Sequence, residues 1–363
     1  MEDPFIRCCR TNQLDEIEQL VPRNNINLKI FNGFLIACEN KSFDVIEFLI
    51  NGLVEKDRAF RSACSNGHLD AAKLILSLSH DEININSIDS YAFRYACKNG
   101  HLNVVEFLLS NPDEFESEIN VNVLDDFAFL MSCKHNHLDI VKLLASIRGK
   151  YEIDISRNGY AAFRSACEYG SLDVVKFLLQ TYNINVHSKN EYAFQLACEN
   201  GHLDVVKLLV ENYEIKINAQ DDYALRWACK NGFLEIVKFL LSLSTNELVE
   251  ENNSLFKDNN SLFKINPHAK DNYAFRWACK EENADVADYL ADRFNRNQYE
   301  FYYREKNQYY IVLPLDYETN KGEDKFVMFD DFKVHCRKAK YLENCIEAYK
   351  VHYVKFTRKS ARK

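Results

Sequence analysis

The chain has 363 residues, 47% of them hydrophobic, with 45 Lys/Arg against 54 Asp/Glu for a formal charge of −9. That hydrophobic share excludes a disordered chain and supports a large core. Residues 331–363 hold ten Lys/Arg against three Asp/Glu, or +7, so residues 1–330 carry −16, too acidic a body to wrap nucleic acid. No run of about 18 apolar residues exists, so no membrane-spanning helix is expected. The opening MEDPFIRCCRTNQLDEIEQL lacks the basic-then-apolar pattern of a secretory leader. Only 10 Gly and 5 Pro stand beside 25 Phe and 20 Tyr, which predicts helices joined by short connections.

In chain order, one unit recurs. Cys9, Cys38, Cys64, Cys97, Cys133, Cys167, Cys198, Cys229 and Cys279 follow one another at intervals of 29, 26, 33, 36, 34, 31, 31 and 50 residues. Self-similarity at such a period marks a stacked solenoid. Four residues before each cysteine stands Phe5, Phe34, Phe60, Phe93, Phe129, Phe163, Phe194, Leu225 or Phe275, on the same helical face as the thiol. After it come a Leu and two apolar pairs, such as Leu102, Val104-Val105 and Leu108-Leu109, at the spacing of a second amphipathic helix. Gly67, Gly100, Gly170, Gly201 and Gly232 lie between the two, where a left-handed residue is needed. Asp57, Ser90, Asp126, Asp222 and Asn272 are placed to cap the first helices. Short extended pieces precede them at Ile83–Asn86, Val121-Asn122, Ile184–Val186 and Ile217-Asn218.

The stretch Ala-Cys-x-x-Gly-His-Leu-x-Val-Val-x-x-Leu-Leu resembles the ankyrin repeat, and the likeness covers about residues 1–297. It implies an all-α solenoid of about nine helix-turn-helix repeats, with protein binding as the function. The style of Tyr-Ala-Phe-Arg with many Asn and Ile is similar to arrays of amoeba-associated bacteria or giant viruses, which suggests an effector acting in the cytosol of a eukaryotic host. Two departures are visible. The family's Thr-Pro-Leu-His is replaced by Tyr-Ala-Phe-Arg, as at Tyr91–Arg94, and the segment leading into the first helix is about three residues short. The projecting fingers should therefore be stubby.

The resemblance places the variable pairs after each cysteine on the concave face: Lys98-Asn99, Lys134-His135, Glu168-Tyr169, Glu199-Asn200, Lys230-Asn231 and Lys280-Glu281. Their charge varies while the core does not, as a recognition surface requires. Trp227 and Trp277 take a position usually filled by Leu, and serve as packing or as interface anchors. Arg61, Arg94, Arg164, Arg226 and Arg276 either bridge to nearby carboxylates such as Asp89, Asp222 or Asp271, or edge a groove for an acidic peptide. The in-phase cysteines have no CxxC pairing and read as free buried thiols, which implies a reducing, cytoplasmic setting.

Between the eighth and ninth units an insert, 245–270, repeats Asn-Ser-Leu-Phe-Lys at 253–257 and 260–264, either a partner hook or a tolerated duplication. After Phe294 the pattern changes. Tyr299–Tyr303 and Tyr309–Leu313, joined by Arg304–Gln308, predict a hairpin; Lys325–Phe329 reads as a third strand, and a helical pattern starts at Asp331. Residues 298–363 thus form a small α+β module that caps the array or carries an activity of its own, catalytic or as a ubiquitin-ligase adaptor. No Walker loop, GxSxG, HExxH or GxGxxG occurs, so no enzyme, cofactor or metal is expected. The partner is one or more proteins, and the chain is expected to be monomeric.

Overall fold

A computed structural model describes residues 2–21, 26–79, 82–110, 118–244, 265, 273–274, 277–278, 281, 283–294, 301–305 and 308–312. The chain divides into two compact units, Met1–Asn185 and Val186–Lys363. The expected boundary at 297/298, nearly all of the insert, the third strand and the final helix lie outside the described residues.

The first unit is six helix pairs. They are α1 (Pro4–Thr11) with α2 (Leu14–Leu20), α3 (Ile26–Glu39) with α4 (Phe43–Ile50), and α5 (Lys56–Ser65) with α6 (Leu69–Ser79). Then follow α7 (Ser87–Asn99) with α8 (Leu102–Ser110), α9 (Val123–Lys134) with α10 (Leu138–Ser146), and α11 (Arg157–Glu168) with α12 (Leu172–Thr181). First helices pack on first helices in order from α1 to α11; second helices form a parallel layer through α2, α4 and α6, and through α8, α10 and α12. The second unit continues the plan with α13 (Ser188–Glu199), α14 (Leu203–Asn212), α15 (Ala219–Lys230), α16 (Leu234–Ser244) and α17 (Ala284–Phe294). There α13 packs on α15, α14 on α16, and α16 on α17. Tyr273, Ala274, Trp277 and Ala278 are helical, consistent with a ninth first helix.

The seam within each unit is the predicted one. The ladder rings from Phe5 to Phe194, with Leu225, are all at most 1% exposed. Phe275 and Cys279 lie outside the described residues. Among those described, all nine cysteines, the off-phase Cys8 included, are free and buried. Burial among hydrocarbon raises the ladder thiols far above their ordinary range, Cys9 to about 12, so they are inert at neutral pH.

Each helix pair is joined by a residue in the left-handed region, glycine at 67, 100, 170, 201 and 232, and elsewhere Asn12, Lys41 and Asn136. Gly100 shows why glycine prevails. Its φ is +83°, and an added Cβ would meet the His137 ring of the next repeat at 2.5 Å. Gly100→Ala is expected to cost about 2 kcal/mol, from left-handed strain and a displaced imidazole. Equilibrium urea unfolding measures it, and an unchanged midpoint would contradict the account.

The connections into the first helices differ from the reading as caps. Ile88-Asp89-Ser90, Leu124-Asp125-Asp126, Asn158-Gly159-Tyr160, Lys189-Asn190-Glu191 and Gln220-Asp221-Asp222 each form one left-handed turn, with φ between +49° and +65° at every residue. A cap needs an extended backbone at the capping residue, and these positions do not have one. The Ser90 hydroxyl instead donates to Asn86 Oδ1 (2.8 Å), and the Asp126 carboxylate meets Arg157 of the next repeat (3.0 Å). Asp57 lies inside α5, where it accepts from Ser87 Oγ and pairs with Arg61. With about three fewer residues available, a tight turn replaces a projecting hairpin, and no strand occurs among the described residues of these connections.

The arginine ladder holds these turns. Arg94 donates from Nε to the Asp89 carbonyl (2.5 Å) and from an Nη to the Ile88 carbonyl (3.0 Å). Arg226 repeats this on Asp221 (2.7 Å) and Gln220 (3.0 Å), and Arg164 reaches the carbonyls of Asn158 and Gly159. Gln195 does the same with one bond, to the Asn190 carbonyl (2.8 Å). For Arg94 the expected Asp89 partner is thus its backbone carbonyl, because the left-handed turn points a pair of carbonyls at the guanidinium. Arg61, paired with Asp57, follows the carboxylate expectation; Arg276 and Asp271 lie outside the described residues.

Asparagines tie neighbouring repeats together. Asn86 Nδ2 donates to the Glu118 carbonyl (3.0 Å), and its Oδ1 accepts from Asn120 N (3.3 Å); Asn122 Nδ2 donates to the Glu152 carbonyl (3.3 Å). After Phe294, β1 (Phe301–Glu305) and β2 (Gln308–Val312) pair antiparallel, Phe301 opposite Val312 and Glu305 opposite Gln308. The hairpin is present, but its connector is two residues rather than the expected five, because Arg304, Glu305 and Gln308 extend the strands.

Candidate binding face

The last turn of each first helix and the left-handed residue after it form a repeated structural step. The position following the ladder cysteine is Lys98 on α7, Lys134 on α9 and Glu168 on α11 in the first unit, and Glu199 on α13 and Lys230 on α15 in the second. Lys280 lies outside the described residues. The backbone carbonyl at this step is satisfied from the next repeat: His137 Nε2 lies 3.0 Å from the Lys98 carbonyl, Ser171 Oγ donates to that of Lys134 (3.1 Å), and Asn283 Nδ2 to that of Lys230 (2.6 Å). With the carbonyls occupied, the lysine ammonium groups are left as the variable element.

Each of those ammonium groups rests on an aromatic ring. Lys98 Nζ lies 5.1 Å from the Tyr95 centroid, and Lys134 Nζ 4.1 Å from that of Tyr169. Lys230 Nζ sits between two indoles, 3.9 Å from Trp227 and 4.8 Å from Trp277. Both tryptophans are half-buried. Tyr91 stacks on Tyr95 at 4.1 Å, and Phe127 of the next repeat lies 6.2 Å from Tyr95. Tyr223 donates its hydroxyl to Glu199 (2.9 Å); burial and that carboxylate push its pKa up.

Lys29, Lys41, Lys56, Lys142, Lys150 and Lys238 each lie within 4 Å of a carboxylate. Lys98, Lys134 and Lys230 do not, among the described residues, although the protein is acidic. The other sequence candidates have mixed roles. Asn99 donates to the Ser65 carbonyl (2.7 Å) and Asn231 to that of Glu199 (2.7 Å), so both bind neighbouring repeats together as well as facing solvent. His135 is exposed and stacks with His137 at 6.1 Å; Tyr169 and Asn200 are exposed, and Glu168 is half-buried. Sequence reasoning did not single out Tyr95 and Phe127 as the aromatic floor. Their signal was present: an aromatic three positions before Lys98, and again at Trp227 before Lys230.

The Gly-His steps add a pH dependence. Burial lowers the pKa of His68 and of His101, whose neighbours His101 and His137 oppose a second charge. The folded first unit therefore favours neutral imidazoles. Above the ordinary imidazole pKa of about 6.5 both states are neutral, and as pH falls through it the unfolded chain takes up protons first, so stability drops. Denaturant midpoints followed from pH 7.5 to 5.5 should fall, by less in a His68→Gln/His101→Gln variant; parallel curves would refute the assignment.

Among the described residues no cluster of His, Cys, Asp and Glu could hold a metal ion, and no helix is long and apolar enough to cross a membrane. A family model for ankyrin repeats in three copies matches residues 34–125, 93–190 and 181–253. The crystal structure of the human ASB11 ankyrin repeat domain is similar at 20% identity, over 59% of this chain and 95% of that one, with a TM-score of 0.41. Comparison with curated proteins gives no match.

Proposed function

From the premise that this chain belongs to the ankyrin-repeat family, a family of protein-interaction modules, we propose that it binds a partner protein through the face that, in each unit, is made by the ends of the first helices and the turns after them. One observation carries the reading: Lys98, Lys134 and Lys230 recur at a single repeat position, each over an aromatic ring and each without an ion pair among the described residues. A cation held against a ring keeps its charge while losing rotamer freedom, which lowers the entropy cost of binding. Half-buried tryptophans beside it have the character of interface anchors. Free, buried thiols support a reducing compartment as the working environment.

The reading is tested by affinity capture followed by crosslink mapping. Trp227→Ala should weaken capture by about 30-fold, as loss of a roughly 2 kcal/mol anchor would. Lys176→Glu, exposed on second helix α12, should leave capture unchanged. Crosslinks confined to the second helices, with Trp227→Ala inert, would refute it.

A further inference from the structure

We propose that the first unit's face takes an acidic peptide segment, with partner carboxylates over Lys98 and Lys134; this rests on the binding-face reading above. The unit holds 18 Lys/Arg against 26 Asp/Glu, a net −8, and Lys29, Lys41, Lys56, Lys142 and Lys150 pair with its carboxylates. The ladder arginine of α7 is spent on backbone: Arg94 is 6% exposed and donates to two carbonyls of its own turn. Two lysines at one repeat position, neither within 4 Å of a described carboxylate, lie on adjacent, mutually packed helices, Lys98 on α7 and Lys134 on α9. Tyr95 and Tyr169 lie under them, and the exposed His135 lies beside Lys134.

Aromatic support has a consequence for selectivity. The ring holds the ammonium by its face and supplies no acceptor oxygen, so all three N–H donors remain for a ligand. A carboxylate arriving there gains charge-assisted hydrogen bonds, with apolar stem and ring surface on either side. Glu168, next in the ladder on α11, sets a limit at that end, because a run of partner carboxylates would meet like charge. The complement is therefore a short acidic stretch followed by a basic or neutral residue. The net negative field around the two lysines disfavours a polyanion such as RNA, whose evenly spaced phosphates would also face Glu168 and the acidic body.

The full chain is titrated into a fluorescein-labelled peptide of alternating Glu and Gly, and anisotropy is read at low and at physiological salt. Binding should appear with the Glu peptide, vanish with its Gln counterpart and weaken as salt rises. Lys98→Met/Lys134→Met should weaken it by at least about tenfold, whereas Lys98→Arg/Lys134→Arg and Lys176→Met should not. Circular dichroism confirms that each variant is folded. Equal binding by the Met variant, equal binding of the Gln peptide, or binding only of a phosphoserine counterpart or of single-stranded RNA would overturn the assignment. If the Glu peptide fails while Trp227→Ala still weakens partner capture, the acidic-ligand inference falls and the binding face stands.

Discussion

Truncating Phe194 to alanine is expected to lower the stability of the array by roughly 3–5 kcal/mol, read as a fall in the urea midpoint. The ring is 1% exposed on α13, one helical turn before the fully buried Cys198. Its removal loses transfer free energy and leaves a cavity that two stacked helices cannot close without moving their own seam. Because stacked repeats contact mainly their neighbours, the loss should also broaden the transition, as one weakened interface lets part of the array unfold first. A midpoint within error of the unsubstituted chain would mean that the Phe–Cys register is wrong. Phe194→Leu, which fills most of the volume, should restore more than half of the loss.

Arg94→Met should cost about 3 kcal/mol, although the change looks mild on an exposed-charge view of arginine. The side chain is 6% exposed, and it donates to the Ile88 and Asp89 carbonyls on a turn of three left-handed residues. Left-handed backbone costs about 1–2 kcal/mol per non-glycine residue, so such a turn persists only where the surroundings hold it. Hydrogen bonds from a charged donor contribute about 1.5–3 kcal/mol each, enough for two to offset much of that strain. Arg94→Lys keeps the charge but loses the planar fork, and should recover less than half. Arg94→Gln imitates Gln195 and should lie between Met and wild type. Full rescue by Lys would show that charge, not geometry, is what matters, and would remove this explanation of the ladder.

The arginines show where reading residues in order stops short. Their position four after the third left-handed residue is visible, as are nearby aspartates, and a salt bridge is the obvious inference. What the pattern also contained is the middle residue of each turn, Asp89, Asp125, Gly159, Asn190 and Asp221, always one of the types most tolerant of positive φ. That signal points to a left-handed turn rather than a cap, but only together with the missing three residues of connection. The first residues of two of these turns, Ile88 and Leu124, are 59% and 56% exposed, which hydrophobicity would not have suggested.

For the candidate face, the variable pairs after each cysteine were visible as a column, because a periodic fold writes equivalent positions at equal spacing. Their energetic ranking was not. Asn99 and Asn231 read as ligand contacts from composition, yet each donates to a carbonyl of the preceding repeat, a partner more than 30 residues away. Lys134 finds its ring in Tyr169 of the following repeat, Lys98 in Tyr95 of its own helix, and Lys230 in both places.

Periodicity alone was sufficient for the helix pairs, the buried Phe–Cys seam and the glycine turns, since helical spacing and the exclusion of water from apolar side chains act within a few residues. Which cation is consumed and which is left to meet a partner was settled by contacts between repeats. Arg94 and Lys98 carry the same charge on one helix and both lie near the Tyr95 ring, and the placement of two carbonyls at the Arg94 guanidinium sets them apart. Hydrogen bonds and ring contacts fall off within a few ångströms, so that difference has no trace in composition and exists only once the chain has turned back on itself.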